Sequence, residues 1–232
     1  MVKVIGHRGS GSGLLENTLQ GMKLALAWGV DGIECDVQSS QDGELIVFHD
    51  SSLDRLTNGT GLVAEHSLEE LKQLKVSNQD RIPTLTELLT LLKPHRDLII
   101  DIDIKVQDIE AEILKELQTQ DLIDQTILSS KATQIMRKIR DLNATIETGL
   151  IYEYNYEDPI SIAINIGCKA LFPRLDLVSK ELVHACKQNG LKLNPWSINS
   201  EEDMRRFIDL GVDWIITDNP QRLLKIQDRM DR

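Results

Sequence analysis

Short apolar runs rich in β-branched residues alternate along the chain with stretches whose apolar positions recur every three to four residues. The runs VKVIG (2–6), DGIECDV (31–37), LIIDIDI (98–104), QTILSS (125–130), TIETGLI (145–151), KALFP (169–173), LKLNPW (191–196) and DWIITD (213–218) predict strands. Between them, NTLQGMKLALAWG, DIEAEILKELQTQ, KATQIMRKIRDL, SKELVHACKQNG, SEEDMRRFIDLG and PQRLLKIQDRM carry the helical period. Ser179 and Ser200 precede acidic first turns, and Gly29, Gly190 and Gly211 follow last turns, as helix caps do. Eight strands separated by helices predict an α/β fold with a parallel sheet, and eight is the number that closes a barrel. A doubly wound open sheet is the alternative.

The alternation breaks at residues 43–83. GELIVFHD reads as an extra strand, and DRLTNGTGLVAEHS is rich in turn residues, with Asn58-Gly59 and Thr60-Gly61. SLEELKQLK reads as a short helix before IPTLTELLTLLK. We read this as an insertion after the second strand, projecting from the barrel mouth, in a chain that forms one domain over residues 1–232.

At 232 residues the chain can bury one sizeable core, and 41% hydrophobic with 27% charged residues is ordinary for a globular protein. The formal net charge of −11 argues against a nucleic-acid partner or a broad anionic membrane surface. An anionic substrate therefore needs a local cationic cluster or a bound cation. Three cysteines, Cys35, Cys168 and Cys186, make no even disulfide framework. The chain opens on a strand-like run, and no apolar run is long enough to span a bilayer. We expect a cytoplasmic protein without stable membrane insertion; nothing in the sequence sets its oligomeric state.

Strand periodicity gives the sharpest chemical clue. Glu34 and Asp36 share one face of DGIECDV, against Ile33, Cys35 and Val37 on the other. Asp101, Asp103 and Lys105 likewise share one face, against Ile100, Ile102 and Ile104. A parallel barrel strand is covered on both sides, so carboxylates on its inner face carry a cost unless they are paired. A cation at the barrel mouth accounts for them, and an oxygen donor set favours Mg²⁺ or Ca²⁺ over zinc. An internal ion-pair network with Arg8 and Lys105 is the competing account.

His7 ends the first strand and His49 the extra one, where imidazoles suit acid–base work. His66, His95 and His184 fall in turns or helices without a charged constellation. The loop IGHRGSGSGLLEN has glycines at 9, 11 and 13, but Leu14 stands where a dinucleotide fingerprint needs its third glycine. A nucleotide cradle is disfavoured.

HRG (His7–Gly9), EN (Glu16, Asn17), E-x-D (Glu34, Asp36), HD (His49, Asp50), LDR with NGTG (Leu53–Arg55, Asn58–Gly61), IPTLTELL, D-x-K (Asp103, Lys105), NPWSIN and GVDWIITDNP follow one another in that order. Over nearly the whole chain this set resembles the glycerophosphodiester phosphodiesterase family. The resemblance implies a TIM (β/α)8 barrel with a small insertion. It also implies a divalent cation, and hydrolysis of small glycerophosphodiesters to glycerol phosphate and an alcohol. By position it makes His7 and His49 the acid–base pair. Arg8 and Lys105 become phosphate contacts, and Glu34, Asp36 and Asp103 metal ligands. The family commonly has Glu where this chain has Asp103, which keeps the charge and shortens the reach by one methylene. Glu16 is expected beside this group, Trp196 as a wall of the site or as core, and Asp218 as a helix cap. The rival readings are a lysophospholipase D-like phosphodiesterase on larger lipids and a non-catalytic phosphate-binding module.

Overall fold

The computed structural model describes residues 2–13, 15–76, 80–154 and 156–230, so Leu14 and residues 77–79 of the insertion lie outside the described residues. The chain runs β1 (Lys3–Gly6), α1 (Leu19–Trp28), β2 (Gly32–Ser39), β3 (Leu45–Val47), α2 (Leu68–Gln73), α3 (Leu85–Leu92), β4 (Ile99–Ile104) and α4 (Glu110–Gln120). It continues through β5 (Thr126–Ser130), α5 (Thr133–Leu142), β6 (Glu147–Tyr152), α6 (Pro159–Asn165), β7 (Ala170–Pro173) and α7 (Lys180–Gln188). The last elements are β8 (Lys192–Leu193), α8 (Glu201–Leu210), β9 (Trp214–Thr217) and α9 (Pro220–Met230).

Eight of the strands pair in parallel in the order β8-β7-β6-β5-β4-β2-β1-β9, and β3 pairs antiparallel to β2 off this path. Three backbone hydrogen bonds bring the two edges together: Asp213 N–H to Leu193 O at 3.0 Å, Ile216 N–H to Pro195 O at 3.2 Å, and Ile198 N–H to Ile216 O at 2.9 Å. The result is a nearly closed TIM barrel, and the open-sheet alternative is excluded. Among the described residues no helix is long and apolar enough to cross a membrane.

The two faces of each strand go to different cores. Val4, Ile33, Cys35, Val37, Ile100, Ile102 and Ile104 pack against the helices in one continuous cluster. Ile5, Ile127, Ile151, Phe172, Trp214 and Ile216 pack inside the barrel. Glu34, Asp36, Asp101 and Asp103 take the alternate strand positions and are buried too. Helix-facing burial of this kind contributes roughly 1.5–3 kcal/mol per large aliphatic side chain, which is what carries the strands' charged positions inward.

The caps behave as the sequence implies. Ser179 and Ser200 accept from Leu182 N–H and Asp203 N–H, and Gly29 and Gly211 close α1 and α8 in the left-handed region. The first helix starts within the NTLQGMKLALAWG stretch, capped by Thr18, whose side chain accepts from Gly21 N–H. Helix α6 carries no helical pattern in the reading above, because PISIAIN is apolar on most of its positions and rich in isoleucine. Its start is marked instead by Asp158, whose side chain accepts from Ser161 N–H, and by Pro159 in the first turn.

The insertion has a core of its own: Ile46, Phe48, Leu53, Leu56, Val63, Leu71, Val76 and Ile82 form a cluster separate from the barrel's. Leu45 and Val47 of the same segment pack with the helix-facing core of the barrel instead, and Leu62 is exposed. The segment stays tied to the barrel through β3 and through Phe48 N–H, which donates to Asp36 O at 3.0 Å. That tie sets His49 beside the inner face of β2.

Candidate active site

The loop after β1 folds tightly because its glycines take positive φ, and Gly11 at φ 110° also leaves no room for a side chain. A Cβ there would lie 2.2 Å from the Asp218 carbonyl oxygen. That close approach docks the loop on the end of β9, where Ser12 N–H donates to Asp218 Oδ1 at 2.7 Å. Arg8 itself is left-handed at φ 51°, a conformation of order 1 kcal/mol or more above the usual wells for a non-glycine residue. The turn sends its N–H to Glu34 Oε2 at 2.7 Å and its guanidinium to Glu16 Oε1 at 2.7 Å and Asp36 Oδ2 at 3.3 Å.

Each histidine is held by a carboxylate through Nδ1. For His7 the partner is Asp218, at 2.7 Å, with the Ser12 hydroxyl 3.1 Å from the same nitrogen. Its Nε2 stands 3.9 Å from Glu34 Oε2. Asp218 is in turn held by Asn199 Nδ2 at 2.6 Å. For His49 the partner is its neighbour Asp50, at 2.6 Å, which Arg55 Nε clamps from the other side at 2.6 Å. Past the end of β3 the chain is held by Gln38 Nε2, which donates to Phe48 O and Asp50 O on either side of His49.

The two environments push the imidazoles apart. Burial opposes charge on His7, but the hydrogen bond to Asp218 and the nearby Glu34 outweigh it, and its pKa is raised. Burial dominates at His49 and, with Lys105 and Arg8 opposite, lowers its pKa. Asp50 is drawn down to about 2 by its hydrogen bond from Arg55.

Glu34, Asp36 and Asp103 each turn an oxygen into one place, all within 4.8 Å of one another. Parallel register sets Glu34 beside Asp101 and Asp36 beside Asp103. Lys105 Nζ bridges Asp36 Oδ1 at 2.7 Å and Asp103 Oδ2 at 2.5 Å, and Asn17 Nδ2 donates to Asp36 Oδ2 at 2.7 Å. Burial resists ionisation of Asp36, yet Lys105 and Arg8 bring its pKa down to about 2. Glu34 goes the other way: burial and the Asp36 charge push it up to about 8. Burial also pushes Asp101 up to about 8; its Oδ1 accepts from Ser129 Oγ at 2.6 Å and its buried Oδ2 has no partner.

Both accounts of the inward carboxylates are therefore present in part. Lys105 and Arg8 pair with Asp36 and Asp103, whereas Glu34 accepts the Arg8 backbone N–H and has the His7 Nε2 at 3.9 Å, beyond hydrogen-bond distance. Three converging carboxylate oxygens without sulfur fit a hard divalent cation, which offsets the charge that burial disfavours on Glu34.

A cavity of about 300 Å³ opens over this cluster, and its walls differ in kind. His7, Arg8, Glu34, Asp36, His49, Asp103 and Lys105, from β1 to just past β4, make a charged wall. Ile151, Phe172, Trp196 and Ile216 make the apolar wall opposite, with Lys131 and Glu153 at its edge. Trp196 is thus both: half-buried in the wall, with Nε1–H donating to Phe172 O at 2.9 Å.

All eight residues singled out from the sequence meet in this cavity. Glu16 is beside them, but as the shared partner of Arg8 and Arg55 (2.6 Å from Arg55 Nη2) and not as one of the converging carboxylates. Asn17 holds Asp36, and Asp218, expected as a helix cap, holds His7 instead. Arg55 lies in the LDR run quoted above but has no role assigned there, whereas Lys131 and Glu153 carry no local signal, since an isolated charge after a strand looks like any surface residue.

Residues 7–222 match the family described as the glycerophosphoryl diester phosphodiesterase family. The glycerophosphodiester phosphodiesterase of Caldanaerobacter subterraneus subsp. tengcongensis is 37% identical over 235 residues, covering 96% of each chain. That of Bacillus altitudinis is 32% identical over 244 residues, covering 99% of this chain and all of the relative. Among solved structures, an Oleispira antarctica phosphodiesterase in complex with the product sn-glycerol-3-phosphate superposes with a TM-score of 0.89. It is 28% identical and covers 99% of this chain and 97% of its own. A Thermotoga maritima glycerophosphodiester phosphodiesterase superposes with a TM-score of 0.83 at 25% identity, covering 97% of this chain and 98% of its own.

Proposed function

The chain belongs to the glycerophosphoryl diester phosphodiesterase family. On that premise we propose that it hydrolyses small glycerophosphodiesters to glycerol 3-phosphate and an alcohol, with a divalent cation and a His7/His49 acid–base pair. The observation that carries this reading is the placement of two carboxylate-held histidines on one cavity with three converging carboxylates between them.

Glu34, Asp36 and Asp103 would hold the cation, which supplies positive charge to the phosphate oxygens and to the charge that develops in the transition state. Arg8 and Lys105 face the same cavity and bind the phosphodiester anion from the protein side. His49, its pKa lowered, is neutral near pH 7 and accepts the proton of the attacking hydroxyl. His7, its pKa raised, is protonated there and gives its proton to the leaving alkoxide. Asp218 and Asp50 fix the two Nδ1 atoms, so that each Nε2 is the nitrogen available for the transfer. The apolar wall receives the carbon skeleton of the substrate.

The experiment is an assay of glycerol 3-phosphate release from glycerophosphoglycerol, before and after exhaustive chelation. Release that stops with EDTA and returns with Mg²⁺ or Ca²⁺ is the expected result. Undiminished release from chelated protein would remove the cation from the scheme.

A further inference from the structure

At the edge of the apolar wall, beside Trp196, stand two residues that the phosphodiesterase scheme does not use, Lys131 and Glu153. Lys131 follows directly on β5, Glu153 directly on β6, and Trp196 comes three residues after β8. The Lys131 ammonium lies 2.9 Å from Glu153 Oε1 and 5.6 Å from the centre of the Trp196 ring. The ring is fixed in this pose by its hydrogen bond to Phe172 O, and all three side chains line the substrate cavity.

An aromatic face with a carboxylate beside it is the arrangement that recognises a quaternary ammonium group, which has no hydrogen to donate and is held by the ring quadrupole and by charge. Tryptophan provides the strongest such face. Here the position over the ring is taken by the chain's own ammonium. Glu153 stands apart from the carboxylates that converge below His7 and His49, and among the described residues lining the cavity its ion-pair partner is Lys131. The lysine side chain is half-exposed, and a solvent-facing pair of this kind adds little to stability. Its place in the cavity is better accounted for by what it keeps out.

Resting on the reading given under Proposed function, we propose that Lys131 occupies a cation subsite formed by Trp196 and Glu153. It thereby sets the enzyme against headgroups bearing a quaternary ammonium and in favour of uncharged polyol headgroups. A choline group entering this part of the cavity meets a like charge at contact distance and finds both of its recognition elements in use. A glycerol or similar polyol meets no such repulsion and can accept from the ammonium.

The test is Lys131→Met, which keeps the length and apolar stem of the side chain and removes the charge. At a half-exposed position the change leaves the core untouched. The metal-loaded enzyme is assayed on sn-glycero-3-phosphocholine and on glycerophosphoglycerol. The ratio of kcat/KM for the choline substrate over the polyol should rise about 10-fold, the scale of one partly desolvated cation–aromatic contact. Glu153→Gln added to Lys131→Met should cancel most of that gain. Independently of turnover, calorimetric titration with choline chloride at fixed ionic strength should show tighter binding to Lys131→Met than to the unaltered protein. An unchanged ratio together with unchanged choline affinity overturns the subsite, and leaves the phosphodiesterase reading standing if the unaltered enzyme cleaves either substrate. Tighter choline binding in a protein that cleaves neither substrate upholds the subsite and overturns the phosphodiesterase reading instead.

Discussion

His7 and Asp218 are 211 residues apart in the chain and share a 2.7 Å hydrogen bond, made where the first strand of the barrel meets the last. Barrel closure brings them together, since β1 pairs with β9 and the Gly11 backbone abuts that of Asp218. The bond raises the His7 pKa and holds the ring with Nε2 toward Glu34.

Asp218→Asn should therefore slow turnover by on the order of 10²-fold, within the range a positioned acid–base group contributes. It should also change the pH profile. Without the Asp218 carboxylate His7 loses its proton at lower pH, so the alkaline limb of kcat should move toward acid while KM changes little. A rate profile superimposable on that of the unaltered enzyme would return Asp218 to a purely structural part.

The unaltered enzyme should give a bell-shaped profile. The rate rises as pH passes the lowered value of His49, which must be neutral, and falls as pH passes the raised value of His7, which must be protonated. His7→Ala and His49→Ala should each cost about 10²–10⁴-fold in kcat. Because both act in one proton-transfer sequence, the double variant should lose far less than the product of the two losses. Steady-state assays of the three purified variants decide this; near-normal turnover in either single variant removes that histidine from the scheme.

Arg8 can be tested without confusing charge and backbone. Arg8→Gly accepts the φ of 51° freely, and the buried acids that Arg8 touches keep other partners: Glu16 retains Arg55, and Asp36 retains Lys105. The variant should stay folded by circular dichroism yet lose at least about 10²-fold in kcat/KM, the order of removing one transition-state charge contact. His184→Ala, at an exposed position on α7, is the control and should leave turnover unchanged. Equal, small effects would make Arg8 an ion-pair partner only.

The metal-free protein should lose stability as pH rises from about 5 to 8.5. Glu34 and Asp101 titrate near 8 when folded, burial being the main cause, whereas an unfolded carboxyl titrates near 4. Between those values the folded chain holds protons that the unfolded chain has released, so unfolding gains with each step in pH. His7, raised by its carboxylates, acts in the same direction, and His49, lowered mainly by burial, acts against it. Asp36, drawn down to about 2, contributes a constant amount in this window. Thermal melts in EDTA at pH 6 and 8.5 should show the higher Tm at pH 6. Asp101→Asn should narrow the gap, and added Mg²⁺ or Ca²⁺ should raise Tm at pH 8.5 by mass action on the folded state. A Tm that rises with pH in chelated protein would contradict the burial argument.

Local pattern alone determined the strands, most of the helices, the insertion and the inward carboxylates. Alternation with period two commits Ile33, Cys35 and Val37 to one face and Glu34 and Asp36 to the other, whatever the strand later packs against. Capping residues likewise act within one helical turn, which is why Ser179 and Ser200 were legible and why the isoleucine-rich α6, whose period is blurred, was not. Tertiary structure decided which charges meet. The Asp218–His7 bond, the Glu16–Arg55 clamp and the placement of Lys131 over Trp196 each join residues on different turns of the barrel. Ionic contacts depend on distance in space, and only closure of the eight parallel strands sets those distances.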